Sequence, residues 1–255
     1  MEYYIIPIVA FLASALTLLS GFGLGMMLSA AFFLFFPLDT AVALTAIVHL
    51  ANNMLKFKLF KSHFDKKIIL KFGIPAILFA LFGSYLLTYI STLNNPVSIF
   101  SFQLLPLNAL LGILMIIFAF YKPKPKDVNS PRFLQYGGML SGFFGGLAGH
   151  QGGIRSAFLS KLDLDKNVFI GSGVAIACMI DFSRIPIYFL NGKLNPAGEN
   201  LELLFLATLF AFLGVFVGKK LMEKTTYTLI QQIVKILLTI QGIYIIFNLS
   251  EYFNK

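Results

Sequence analysis

The chain has 255 residues, of which 58% are hydrophobic and only 12% are charged, and its formal net charge is +9. A soluble domain carries roughly 25% charged residues. The composition therefore excludes an ordinary soluble protein and predicts an all-α polytopic membrane protein. The basic residues lie mostly in short loops, where they orient helices and meet anionic lipid, so we expect a lipid bilayer and no nucleic acid as partner.

Apolar runs along the chain predict membrane-spanning helices, since about 20 helical residues cross ~30 Å of hydrocarbon. In chain order the predicted spans are 3–20, 40–58, 68–91, 101–121, 133–149, 167–190, 199–219 and 227–249. Two shorter runs, 26–36 and 153–161, each follow a glycine cluster, "GFGLG" at 21–25 and "GHQGG" at 149–153. These clusters indicate helices that break inside the membrane and start again.

The two halves of the chain share the same order of elements, which predicts an internal repeat. Matches at an offset of 128 residues support it: Gly25 with Gly153, Asn53 with Asp181, and Lys56 with Arg184. We therefore predict an N-terminal transmembrane repeat at 1–121, a cytoplasmic linker at 122–132 and a C-terminal repeat at 133–255. Each repeat would contain a glycine-broken helix hairpin and three transmembrane helices.

Loop charges predict that the second repeat is inverted relative to the first. The basic loops 56–71, 122–132 and 219–226 belong in the cytoplasm, whereas 92–100 and 191–198 carry only Lys193 between them. The positive-inside rule then holds throughout if both termini lie outside the plasma membrane. A plain eight-span arrangement would place the basic loop 219–226 outside.

Glycine clusters have two interpretations. The row Gly138, Gly142 and Gly146 favours close helix packing. The clusters that include Gly23, Gly25 and the pair Gly152–Gly153 favour binding, because each precedes a helix N-terminus with positively polarised N–H groups. Paired broken helices in corresponding positions of two inverted halves indicate a transport site near the bilayer midplane.

Polar side chains accompany both clusters. His49, Asn52 and Asn53 share one helical face in "IVHLANNMLK", where they either line a polar cavity or form inter-helical hydrogen bonds. His150, Gln151 and Ser156 offer hydrogen bonds, and the forked guanidinium of Arg155 suits an oxyanion. Asp181 and Arg184 share one face of a later span, as functional groups or as a structural ion pair. The candidate substrate-binding residues are Gly23, Gly25, His49, Asn52, Asn53, His150, Gln151, Gly152, Gly153, Arg155, Ser156, Asp181 and Arg184.

These motifs resemble the sulfite exporter TauE/SafE family, whose repeat motif reads roughly G-x-x-G-x-G-G-G before an apolar run. "GLAGHQGG" matches it at Gly146, Gly149, Gly152 and Gly153, and "GHQGGIRS" with "GSGVAIACMIDFSR" at 171–184 is similar to a branch with G-H-Q-G-x-x-R-S. "GFGLGMML" in the first half is a looser match. The resemblance implies transport of sulfite, thiosulfate, sulfonates or related organic anions.

Together these features predict a secondary transporter that moves a small anion by alternating access. An anion channel built on the same broken helices is the alternative. The sequence lacks H-E-x-x-H, G-x-S-x-G and Walker motifs, so we expect no enzyme, no cofactor and no metal. The coupling ion, H⁺ or Na⁺, and a homodimer are left open.

Overall fold

Helices form nearly all of the computed structural model, which describes residues 1–20, 23–93, 97–99, 102–120, 132–221 and 227–247. The helices of the first half are α1 (Glu2–Ser20), α2 (Leu24–Phe33), α3 (Leu38–Phe60), α4 (Lys66–Thr92) and α5 (Pro106–Phe120). Those of the second half are α6 (Phe133–Ala148), α7 (Gln151–Leu159), α8 (Lys166–Leu190), α9 (Asn195–Glu199), α10 (Leu201–Leu221) and α11 (Tyr227–Ile246). The predicted helical class is confirmed, including the short helices after both glycine clusters.

Within the part of the chain that the structure describes, four helices are long and apolar enough to cross a membrane: α3, α4, α8 and the segment Leu201–Lys220 of α10. α3 and α8 are mostly enclosed by other helices, whereas α4 and α10 are largely exposed. The exposed face of α4 is apolar, with Leu70, Ile74, Leu78 and Phe82 at helical spacing. Such a face suits lipid rather than water, so the fold has central helices inside a lipid-facing ring.

The predicted span 101–121 differs from the structure at its start. A short antiparallel ribbon of β1 (Val97–Ile99) and β2 (Phe102–Leu104) precedes α5, which begins at Pro106. A proline fits the first helical position because it has no N–H to leave unpaired. It also disfavours a helical conformation for the residue before it. The helix therefore begins about five residues later than its hydropathy indicates.

Helices of the first half make contacts similar to those of their counterparts in the second half. α6 packs on α4 as α1 packs on α10, and α8 packs on α4 as α3 packs on α10. α3 and α8 are counterparts in the two halves and pack on each other, and so do α5 and α11. The largest core cluster takes residues from both halves, among them Ile6, Leu87, Tyr188 and Ala207. Both halves therefore contribute to the same core cluster.

Glycine rows allow the closest of these contacts. A Cβ added at Gly138, Gly142 or Gly146 of α6 would overlap backbone carbonyls of α4 at Phe72, Ala76 and Ala80 respectively. The packing interpretation of this row is therefore confirmed. Gly214 and Gly218 of α10 lie in the same way against Phe11 and Ala15 of α1. α5 and α11 cross where Gly112 and Gly242 face each other's backbone.

The predicted linker 122–132 lies outside the described residues except for Arg132, which directly precedes α6. Gly21 and Phe22 of the first glycine cluster also lie outside them. The division into two repeats joined by this linker stays a prediction.

The α4–α6 contact provides a test of the packing. We expect Gly142→Ala to lower the apparent melting temperature in detergent, because the added methyl group must push apart two backbones. Overpacking of this kind costs about 1–3 kcal/mol. Gly198→Ala is the matched control, since nothing lies within 4 Å of a Cβ built there. Equal melting temperatures for the two variants would contradict the packing described.

Candidate functional site

The two glycine breaks meet in the structure. Gly23 precedes α2 with φ 114°, and Gly149 follows α6 with φ 76°, both in the left-handed region that favours glycine. A Cβ built on Gly25 would lie 3.0 Å from the carbonyl oxygen of Gly149 and 3.5 Å from the His49 ring. The breaks of the two halves therefore come together beside α3.

The break between α6 and α7 is a tight reversal. The Gly149 N–H donates to the Gly145 carbonyl at 3.0 Å, and the His150 N–H donates to the Phe144 carbonyl at 3.1 Å. α6 thus ends, as many helices do, at a glycine in the left-handed conformation. α7 starts at the next residue, Gln151, without a side-chain cap from His150. The chain thus presents a new helix N-terminus at the point of reversal.

Asp181 is the hydrogen-bond acceptor on which the buried polar residues converge. Its Oδ1 accepts from Arg184 Nη2 at 2.7 Å, from Arg184 Nε at 3.0 Å and from Gln151 Nε2 at 2.8 Å. Its Oδ2 lies 2.6 Å from His49 Nδ1 and 3.4 Å from Asn53 Nδ2. An ionised carboxylate can only accept, so His49 Nδ1 carries the proton in this contact. One carboxylate therefore joins α3, α7 and α8.

Arg184 and Tyr188 extend this cluster to α6. Arg184 Nη1 donates to the Gly145 carbonyl at 2.8 Å, and the Tyr188 hydroxyl donates to the Gly146 carbonyl. Ser141 Oγ donates to the Gln151 carbonyl at 2.8 Å. These bonds engage carbonyls near the end of α6 and the start of α7, and so fix the glycine turn against α8.

Arg155 is connected to the cluster through an amide. Gln151 donates to Asp181 through Nε2 and accepts from Arg155 Nη1 through Oε1 at 3.2 Å. This pair of contacts fixes which way the amide faces. Gly173 of α8 lies beside the Arg155 side chain, and a Cβ there would be 3.4 Å from Nε. Gln151 therefore bridges the Arg155 guanidinium to Asp181, whose charge is balanced by Arg184.

A small cavity of about 30 Å³ opens beside Arg155. This volume holds a water molecule or two. Four predicted site residues line it: His49, Asn53, Arg155 and Ser156. Lys56, Gly173 and residues of α1 and α2 also line it. Among its described lining residues there is no carboxylate. The lining is thus cationic and rich in hydrogen-bond donors.

Other predicted site residues lie outside this lining. Asn52 accepts a hydrogen bond from Ser14 Oγ of α1 at 3.2 Å, which supports the inter-helical hydrogen-bonding interpretation. His150 is 2% exposed at the turn before α7, and Gly152 and Gly153 lie in the first turn of α7. Asp181 and Arg184 form the ion pair expected from their spacing, with both side chains fully buried.

Sequence reasoning missed two residues of this candidate site, Lys56 and Tyr188. Lys56 is 5% exposed and lines the cavity, although it had been assigned to a basic cytoplasmic loop. Its match with Arg184 at the 128-residue offset was the signal that pointed to it. Tyr188 was not among the predicted candidates, and it is fully buried against α6.

A second cavity, of about 670 Å³, lies toward the opposite ends of α3 and α8. Its lining includes Asp39 at the start of α3 and Lys193 after α8, which form an ion pair with Nζ and Oδ2 2.6 Å apart. The small cavity instead involves Asn53 and Lys56 of α3 and the first turns of α8. The His49–Asp181 contact therefore lies between the two cavities along these helices.

Long apolar helices, two interrupted helices and a buried charged cluster together define an α-helical membrane protein with the architecture of a transporter. The family model for sulfite exporter TauE/SafE matches residues 6–245, nearly the whole chain, so the protein belongs to this family and is a multi-pass membrane protein. Members of the family are transporters, and the family implies a membrane exporter of sulfite or related anions. No curated protein and no solved structure matches the chain significantly.

Across the described ranges, no group of three or more histidine, cysteine, aspartate or glutamate residues is arranged to hold a metal ion. His49 and Arg184 both contact the carboxylate of Asp181.

The role of Asp181 can be tested by removing its charge. We expect Asp181→Asn to lower stability by about 3–5 kcal/mol, because it leaves the buried guanidinium of Arg184 without its counter-charge. Asp163→Asn, at an exposed aspartate, is the control for loss of a carboxylate. Apparent melting temperatures in detergent give the comparison. The double variant Asp181→Asn with Arg184→Met should recover part of the loss, and a double variant less stable than Asp181→Asn would contradict the pairing.

Proposed function

We propose that the protein is a secondary transporter of small sulfur-containing or organic anions, such as sulfite, thiosulfate or sulfonates. It would move them across the plasma membrane by alternating access. The observation that carries this proposal is the meeting of the two glycine breaks, together with a cavity lined by both Leu24 at the start of α2 and Arg155 of α7. Two helices start there, one from each half of the chain, and a helix N-terminus favours negative charge.

The lining of the small cavity supports an anionic substrate. Arg155 offers a planar fork of N–H donors that matches the oxygens of a sulfonate or sulfite group. Ser156 and Asn53 line the same space, and the backbone at Gly25 lies close to His49 at its edge. We propose that these residues contact the substrate, together with the first turn of α7 at Gly152 and Gly153.

Asp181 and Arg184 have a different role in this proposal. Their charges neutralise each other, and both side chains are fully buried away from the cavity. We propose that they position the site: Asp181 orients Gln151, and Gln151 orients the guanidinium of Arg155. Gln151 and His150 keep the turn before α7 in place rather than select the anion.

Two observations support alternating access between inverted repeats. The contacts between helices repeat when the halves are exchanged, as expected of two similar units packed around an axis. The cavities lie toward opposite ends of α3 and α8, with the His49–Asp181 contact between them. The small cavity of about 30 Å³ is too small for a sulfur oxyanion, so binding requires its lining helices to move apart.

Substrate binding by Arg155 gives a direct test. We expect Arg155→Ala to weaken binding of thiosulfate or sulfite by about 100-fold, because a forked charge-assisted contact is lost. Lys161→Ala, at an exposed cation just after α7, is the matched control. Calorimetric titration of purified protein measures both. Unchanged affinity in Arg155→Ala would remove this residue from the site.

Flux in proteoliposomes separates the proposed transporter from a channel. External unlabelled anion should drive counterflow of labelled anion, and saturation with substrate should accompany it. Flux that only follows the gradient, without counterflow, would contradict alternating access.

The proposed orientation can be tested by cysteine labelling, because the native Cys178 is buried. A membrane-impermeant maleimide added outside intact cells should label Asn195→Cys, at the start of α9. It should label Ser62→Cys, after α3, only once the cells are permeabilised. Both positions are exposed in the fold, so burial does not bias the comparison. The reverse pattern would contradict external termini and a cytoplasmic linker.

A further inference from the structure

The imidazole ring of His49 has two edges with different surroundings. Its Nδ1 lies 2.6 Å from Asp181 Oδ2 and carries the proton of that contact. The other edge faces the first turn of α2, since a Cβ built on Gly25 would lie 3.5 Å from Cδ2 and 3.7 Å from Nε2. His49 also lines the small cavity, together with Arg155. The ring is therefore held by a carboxylate on one edge and lies beside the candidate anion site on the other.

A buried hydroxyl continues the polar face of α3 beyond His49. Thr45 lies one turn before His49 and is fully buried, and its Oγ1 has no hydrogen-bond partner among the described residues. Buried hydroxyls are normally satisfied, either by the protein or by water. Thr45 lies toward the larger cavity, whose lining includes Asp39 and Thr40 at the start of α3. The Thr45 hydroxyl therefore marks a place for water between His49 and this cavity.

Charged and titratable groups surround the imidazole ring. Asp181 and Arg184 face it from α8, Lys56 lies two turns further along α3, and Arg155 of α7 shares the lining of the small cavity. His150, at the turn before α7, is a second buried imidazole. α2 contains no titratable residue, and those of α1, α4 and α10 lie near helix ends or on exposed faces. Within this set, only the two imidazoles ordinarily exchange a proton near neutral pH.

We propose that His49 is a proton-binding site that couples anion transport to proton movement in the same direction. This inference rests on the proposed anion transport. A proton from water in the small cavity binds the lone pair of Nε2, while the Nδ1 proton stays in its contact with Asp181. The ring then carries a positive charge beside the anion, so the proton and the anion strengthen each other's binding by the same factor. The proton leaves Nε2 to water beside Thr45 when the larger cavity opens toward the ring.

Proton uptake on anion binding is the direct test in the wild-type protein. Thiosulfate is the probe, because it gains no proton of its own near neutral pH. Titration calorimetry in two buffers of different ionisation enthalpy gives the protons taken up per bound anion, measured at several values between about pH 5 and pH 8.5. Wild type should take up a fraction of a proton that reaches a maximum within this range and does not exceed about one. Thiosulfate binding without proton uptake at every pH would overturn the inference.

Histidine variants assign the proton to one residue. His49→Gln keeps an amide that can donate to Asp181 but cannot titrate, so it should bind thiosulfate more weakly and without proton uptake. His63→Gln is the matched control, since His63 lies in the loop after α3 and contacts Ser62. It should keep both the affinity and the proton uptake of wild type. Proton uptake that persists in His49→Gln and is lost in His150→Gln or Lys56→Gln would overturn the role of His49.

Flux in proteoliposomes tests the coupling itself. With the membrane potential clamped at zero by potassium and valinomycin, an inward proton gradient should drive wild type to accumulate thiosulfate above its equilibrium level. His49→Gln should retain measurable counterflow but lose this accumulation. Thr45→Val replaces the hydroxyl with a methyl group and should slow the accumulation without changing thiosulfate affinity, whereas Thr45→Ser should keep the wild-type rate. Unchanged accumulation in Thr45→Val would overturn the route through this hydroxyl.

The outcomes separate this inference from the proposed function. If wild type neither binds nor exchanges thiosulfate, the proposed function fails and the inference falls with it. If wild type binds and exchanges thiosulfate but takes up no proton, anion transport stands and the proton-coupling role of His49 is overturned. The wild-type measurement decides this point even if His49→Gln does not yield folded protein.

Discussion

The centre of this fold depends on the contacts made by the buried carboxylate of Asp181. A fully buried charge requires both a counter-charge and hydrogen bonds to the remaining lone pairs. Arg184 supplies the charge, and Gln151 and His49 supply further contacts. Because these partners come from α3, α7 and α8, satisfying one carboxylate fixes the relative positions of helices from both halves of the chain.

This neutral cluster and the cationic cavity next to it have different physical consequences. In the neutral cluster the charges of Asp181 and Arg184 cancel. Arg184 also holds the Gly149 turn in place through its hydrogen bond to the Gly145 carbonyl. The cavity carries Arg155 and Lys56 beside polar donors. A rigid neutral scaffold next to a charged space is a suitable arrangement for a site that must bind an anion and release it, because the scaffold can keep its shape while the charged space changes occupancy.

Much of the fold follows from the sequence because hydropathy, glycine clusters and loop composition act locally. The breaks before Leu24 and Gln151 contain Gly23 and Gly149, in conformations that few other residues adopt. The start of α5 was misplaced because the preference of Leu105–Pro106 against helix outweighs the hydropathy of the segment before it. These helix starts depend on local signals, which can be recognised in a single sequence.

The site was predicted less completely, since its contacts join residues far apart in the chain. The grouping of His49, Arg155, Asp181 and Arg184 was expected from the repeat, and the structure brings them together. The direction of Asn52 toward Ser14, rather than toward Asp181, depends on where α1 packs. Lys56 looked like a loop lysine because sequence alone does not show that α3 continues to Phe60 and stays enclosed there.

The central claim is that an anion rests where the two interrupted helices meet. Crystals grown with selenate, a heavier isostere of sulfate, test it through anomalous scattering from selenium. The account predicts an anomalous peak in the cavity beside Arg155 and Lys56, with selenate oxygens about 2.7–2.9 Å from the guanidinium nitrogens. A peak confined to the larger cavity near Asp39 and Lys193, with the space beside Arg155 empty, would contradict it.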